Sequence, residues 1–204
     1  MNILIHPTYF PSIATFVAIA KADKVVIEVQ DNYQKQTYRN RCYIYGANGK
    51  LQLSIPVVFS QLNRQKYSAV KITNAYNWQD NHWKSLESAY RTSPFFEYYA
   101  DEIRPLFTET YHTLLAFNLK CFKVVCSCIQ LNIALSETKL FEKKTKALID
   151  YRGLVNAKKE NTIALTPYIQ VFNNKHGYIN NLSILDLLFN EGPNAINYLK
   201  SQSI

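Results

Sequence analysis

Asn2-Ile3-Leu4-Ile5-His6-Pro7-Thr8-Tyr9-Phe10-Pro11-Ser12, with Ile13 to Ala20 and Lys24-Val25-Val26-Ile27-Glu28-Val29 behind it, is the stretch whose reading decides the fold. The first apolar run is short and bounded by His-Pro, as for a buried strand. Ser12 is placed to cap a helix running to about residue 22, in which Ile13, Phe16, Val17 and Ala20 recur at helical spacing. The β-branched run that follows reads as a second strand. A β-loop-α-β opening normally makes a parallel, right-handed crossover. The loop from His6 to Pro11 then lies at the carboxyl end of the first strand, where open α/β sheets place their ligands.

Outward from this unit, residues 41–45 and 50–57 alternate around Gly46-Ala47-Asn48-Gly49, a hairpin signal. Val70-Lys71-Ile72 is a further candidate strand. Helical character runs over 74–92, up to Ser93-Pro94, and then over 95–107 and 110–131. The polar, lysine-bearing stretch 143–166 reads as a connector or lid. Tyr168-Ile169-Gln170-Val171-Phe172 alternates like a strand, and Ser183 with Asp186 reads as the cap of a helix that Gly192 stops and Pro193 follows. The expectation is an α/β fold: one domain over 1–204, a short mixed sheet covered by helices, and a helical C-terminal part.

With 5 Gly, 7 Pro and 48% apolar residues in 204, the chain is an ordinary globular protein that can bury a sizeable core. Its formal charge of +8 favours an anionic partner such as a nucleotide, a phosphorylated sugar, RNA or a membrane surface, and the expected one is a small anionic molecule, a nucleotide-sugar or an activated acyl donor. The basic residues are scattered and no RNA-binding signature is present, so nucleic acid enters only as a tRNA carrying a donor group. Cys42, Cys121, Cys126 and Cys128 lack zinc-ligand spacing and read as buried thiols of a reducing cytosol. The 4 His are spread along the chain, so no metal and no cofactor are expected. Residues 2–20 hold no Asp, Glu, Lys or Arg, but prolines, His6 and Tyr9 interrupt them; a cytoplasmic protein without membrane insertion is expected.

His6 ordinarily titrates near neutral pH and suits proton transfer or anion binding. Tyr9 sits beside it in the same turn. Asn40 and Arg41 offer an amide and a bidentate cationic fork for phosphate or carboxylate, while Arg39 reads as solvated. Asp31 suits a ribose hydroxyl, a metal or a loop cap. His82, Ser85, Leu86 and Ala89 share a helical face, with Trp78 one turn earlier. No third member completes a triad there, so the face suits a polar patch on which Trp78 and Tyr90 stack a sugar or base, or else a core helix.

These residues resemble the WbqC-like family, bacterial proteins associated with O-antigen and other surface-polysaccharide gene clusters. Three blocks carry the likeness. The first is His6-Pro7-Thr8-Tyr9-Phe10-Pro11 with Asp31, Tyr33, Lys35, Asn40, Arg41 and Leu53-Ser54-Ile55-Pro56-Val57. The second is Trp78, His82, Lys84, Ser85 and Tyr90 with Ser93-Pro94-Phe95-Phe96. The third is Tyr168 to Phe172 with Leu182 to Pro193. Members often open with Gln-Pro where this chain has His6-Pro7, and many carry a longer glycine-containing segment before the last block. The resemblance implies transfer of an acyl or aminoacyl group, glycine among them, from an activated donor to a polysaccharide sugar. Asn40 and Arg41 would orient the reactants and His6 or His82 would handle a proton. A non-catalytic module that binds a nucleotide-sugar or a partner enzyme is the alternative, and nucleotidyl transfer a more distant one.

Overall fold

The computed structural model describes residues 1–58, 65–157 and 163–204. The chain opens with β1 (Asn2–Ile5), α1 (Ile13–Ala20) and β2 (Lys24–Ile27), and β1 pairs in parallel with β2 from Asn2 opposite Lys24 to Ile5 opposite Ile27. The Ser12 side chain accepts from the Thr15 amide, as its residue type foretold. Every residue of α1 is buried, because the helix is apolar all round and lies inside the molecule, against the C-terminal helices.

The hairpin is β3 (Arg41–Gly46) and β4 (Gly49–Ser54), with Gly49 at φ +98° beginning the return strand. After Pro56 the short β5 (Val57–Val58) pairs antiparallel with β6 (Lys71–Ile72). The helical layer follows as α2 (Trp78–Tyr90), α3 (Phe96–Ile103), a 3-10 turn at Arg104–Phe107 containing Pro105, and α4 (Leu114–Cys128). Then come β7 (Ala134–Glu137), β8 (Ile149–Asp150), a 3-10 turn at Arg152–Val155, α5 (Asn173–His176), α6 (Ile184–Glu191) and α7 (Ala195–Ser201).

β1, β2, β7 and β8 form the central sheet, parallel throughout, in the order β7-β2-β1-β8. The chain thus steps outward from β1 to β2 to β7, then returns to the opposite side of β1. The antiparallel pairs stand apart as two-stranded sheets. One continuous apolar cluster joins the sheet, α1, the helical layer and α6 through residues such as Ile3, Phe16, Leu86, Phe117 and Leu187. Among the described residues no helix is long and apolar enough to cross a membrane.

Two expectations are corrected. The polar stretch 143–166 is not only a connector: it supplies β8 and the turn that carries Arg152, although its residues 158–162 lie outside those described. Residues 168–172 form no strand. Tyr168 and Gln170 point inward together because both hydrogen-bond Asp186, which mimics strand alternation without a neighbouring strand.

Candidate functional site

The carboxyl ends of all four parallel strands carry polar residues. Buried His6 follows β1, buried Glu28 follows β2, half-buried Thr138 follows β7, and the exposed Asp150 ends β8 with buried Arg152 just beyond it. Asp31 and Arg39 reach the same region from the loop after β2. A cleft of about 480 Å³ opens there, lined by His6, Gln34, Asp150, Arg152, Val155 and Asn156. It lies outside the ends of β1 and β8, the two strands between which the sheet order reverses. That is the topological switch point, the usual place for a ligand in an open parallel sheet.

Arg39 is fully buried rather than solvated, because it is the partner that the turn requires. Its Nη2 donates to His6 Nε2 at 3.0 Å and to Asp31 Oδ2 at 2.9 Å, and its guanidinium lies 5.5 Å from the Tyr67 ring centre. A guanidinium can only donate, so Nε2 of His6 accepts and the ring proton sits on Nδ1. Burial, then the Arg39 charge, lowers the pKa of His6 to about 2. His6 is therefore neutral at neutral pH, and the 3.4 Å approach of Asp31 to Nε2 is not an ion pair. The ring acts as a fixed donor–acceptor, not as a proton shuttle.

Arg152 has five N–H groups and five acceptors. Nε and Nη2 grip the Asp150 carboxylate at 2.9 and 2.7 Å, and Nη2 also donates to the Lys143 carbonyl at 3.2 Å. Nη1 donates to the Glu142 carbonyl at 2.8 Å and to Glu28 Oε2 at 3.4 Å. The side chain ties segment 139–148 to the strand ends, and its hydrogen bonds hold the Asp150 pKa below the usual carboxylate range.

Asn40 and Arg41 fall in a neighbouring cleft of about 470 Å³, lined also by Tyr33, Lys35 and Gln36. Gln34 faces the first cleft and its neighbours the second, so the 33–41 loop separates them. The described charged groups of the second cleft are Lys35 and Arg41. Asn40 is anchored by donating from Nδ2 to the Ile55 carbonyl at 3.1 Å.

The other sequence candidates lie away from both clefts. Tyr9 is fully buried and its hydroxyl meets His82 Nδ1 at 2.9 Å. Burial lowers the pKa of His82 to about 4. The Trp78 ring packs edge-on against His82 and Phe117 inside the core. Ser85 donates back to the Asn81 carbonyl of its own helix at 2.8 Å. The Tyr90 hydroxyl donates to Asp186 Oδ1 at 2.8 Å and accepts from the Tyr45 amide at 3.0 Å. Asp186 is not a cap. It is a wholly buried acceptor for Tyr90, Tyr168 and Gln170, while Ser183 alone caps α6. Glu28, Arg152 and Asp150 were missed; a carboxylate inside the β-branched run 24–29 was the one available signal.

The first βα turn also differs from a dinucleotide-binding turn. It has no glycine, and the free amides at the start of α1 are taken. Ile13 donates to the Leu182 carbonyl, Ala14 to Asn181 Oδ1, and Thr15 to Ser12. No pyrophosphate can seat on that helix terminus. Phe10, at φ +39°, is held in this strained turn by packing against Tyr9 and Phe107.

No solved structure matches the chain. An uncharacterized protein of Mycobacterium tuberculosis, Rv1507c, is 27% identical over 97% of this chain and 96% of its own length. The blocks that build the strand-end turn, the 33–41 loop and the hairpin fall within residues 6–162, which the model of one family matches, and the chain therefore belongs to the WbqC-like protein family.

Proposed function

We propose that the protein transfers an acyl or aminoacyl group from an activated donor to a sugar during the building of a surface polysaccharide. The observation that carries this reading is the polar cleft at the switch point, where His6 from β1 faces Asp150 and Arg152 from the β8 end. Asp150, the exposed carboxylate of the cleft, accepts a hydrogen bond from a sugar hydroxyl, and neutral His6 fixes the orientation of the sugar. The cationic cleft of Asn40 and Arg41 holds the charged part of a nucleotide-sugar or donor. Catalysis is then positioning and electrostatics, with the activation energy supplied by the donor.

The test supplies purified protein with labelled aminoacyl and acyl donors and nucleotide-sugar acceptors. Wild type forms labelled product, while Asp150→Asn and Arg41→Ala lose on the order of 10²-fold in kcat/KM. Equal turnover by a variant removes that residue from the site. A second reading, a non-catalytic module that binds a nucleotide-sugar or partner enzyme, is favoured by one observation. Both buried histidines have a ring nitrogen engaged, by Arg39 and by Tyr9, and both are neutral at neutral pH. Binding without product from any donor decides for the module.

A further inference from the structure

Segment 139–148 crosses from the end of β7 to the start of β8 and borders a separate cleft of about 420 Å³. Leu4 of β1 and Leu140, Ala147 and Leu148 of the crossing segment line it, so much of its wall is hydrocarbon. Five polar residues line it too, Glu28, Thr138, Lys139, Glu142 and Thr145, and of these Glu28 alone is buried. Glu28 lines the cleft, yet it is only 1% exposed. Its Oε1 is satisfied by the Thr138 hydroxyl and the Gln30 amide, both at 2.8 Å. Among the described residues its Oε2 receives only Arg152 Nη1 at 3.4 Å, beyond the normal range for a charged pair. Arg152 is held off by its four other acceptors. A buried carboxylate oxygen with spare lone pairs, beside an apolar cleft, calls for a strong donor.

The other charged groups facing the cleft are Glu142 and Lys139, both exposed residues of the crossing segment. With Glu28 they sum to one negative charge, which the neighbouring Arg152–Asp150 pair, itself neutral in sum, leaves unchanged, in a protein whose formal charge is +8. We infer that this cleft binds a small molecule carrying a primary ammonium group on a short hydrocarbon body. The ammonium donates to Glu28 Oε2 and the hydrocarbon packs on Leu4, Leu140 and Leu148. Three N–H donors on a compact cation fit a single underused carboxylate oxygen better than a planar guanidinium does, since the fork of Arg152 is already engaged elsewhere. The inference rests on the strand ends being the ligand-binding edge but not on transfer chemistry, so binding without turnover leaves it standing.

The experiment titrates the wild-type protein by NMR with n-butylammonium, n-butanol and butyrate, probes of one shape and three charges. The ammonium is expected to bind at least about 10-fold tighter than the other two, with shifts at Thr138 and Leu148. Glu28→Gln is expected to reduce that preference to within about twofold. A fourth probe, butyltrimethylammonium, keeps the charge but has no N–H; it is expected to lose the preference in wild type, which decides the matter even if the variant fails to fold. Equal affinity for the first three probes, tightest binding of butyrate, or no binding at this cleft overturns the inference.

Discussion

His6 and His82 show how far burial moves a side chain from the role its type suggests. Each ordinarily titrates near pH 6.5, and here the folded values are about 2 and about 4. Both rings stay neutral in the fold and take up a proton on unfolding below pH 6.5. The stability they contribute is complete above that pH and drains away as pH falls, for both down to about 4 and for His6 further. Between pH 6 and 4 the unfolding free energy should drop by up to about 1.4 kcal/mol per pH unit for each histidine. Urea melts across that window check this: His82→Gln should roughly halve the slope, and an unchanged slope would place the titration elsewhere. The sequence alone shows an imidazole after a strand. It does not show that Arg39, read there as solvated, comes from 33 residues away to occupy Nε2. The same long-range partnership turns Asp186 from an apparent cap into a buried acceptor. Asn40 and Arg41, read from the sequence as one pair, do line one cleft, whereas Asp31 is buried as a partner of Arg39, which the sequence does not show.

Among elements, the legible ones carry their signal locally. The capped, wholly apolar α1, the β-branched β2 and the glycine-bearing hairpin need no distant partner to be read. β7 and β8 do. Ala134–Glu137 has no β-branched residue and Ile149–Asp150 is only two residues long, so each is a strand solely because a parallel neighbour pairs with it. Since Arg152 holds the segment before β8, Arg152→Lys, with fewer donors and no planar fork, should loosen it. Trypsin should then cut at Lys139, Lys143, Lys144 or Lys146 roughly 10-fold faster than in wild type, while the global melt changes little. An unchanged cutting rate would mean that other contacts fasten the segment. At the end of α6, Gly192 has φ +53°, and a Cβ there would lie 2.5 Å from the Phe95 ring. Gly192→Ala combines backbone strain with overpacking and should cost about 2–4 kcal/mol in a denaturant titration.

For the whole molecule, the C-terminal helices are part of the core rather than an appendage. From Ile184 to Phe189 every residue of α6 is buried, and Asp186 joins it to Tyr90 of α2 and to Tyr168. Although the family model matches only residues 6–162, a chain ending at residue 182 is expected to lose its cooperative thermal transition by circular dichroism. A sharp transition in that truncated chain would show that α6 docks onto a fold already complete. The order of the strands has a further consequence, in time rather than in space. β1, β2 and the oily α1 leave the ribosome before their partners: the strands that flank them arrive more than a hundred residues later and the helix that covers α1 later still. The nascent chain therefore carries a sticky, unpartnered amino-terminal unit through most of its synthesis. Its yield in a cell should depend on how well chaperones shelter that unit until α6 and α7 are made.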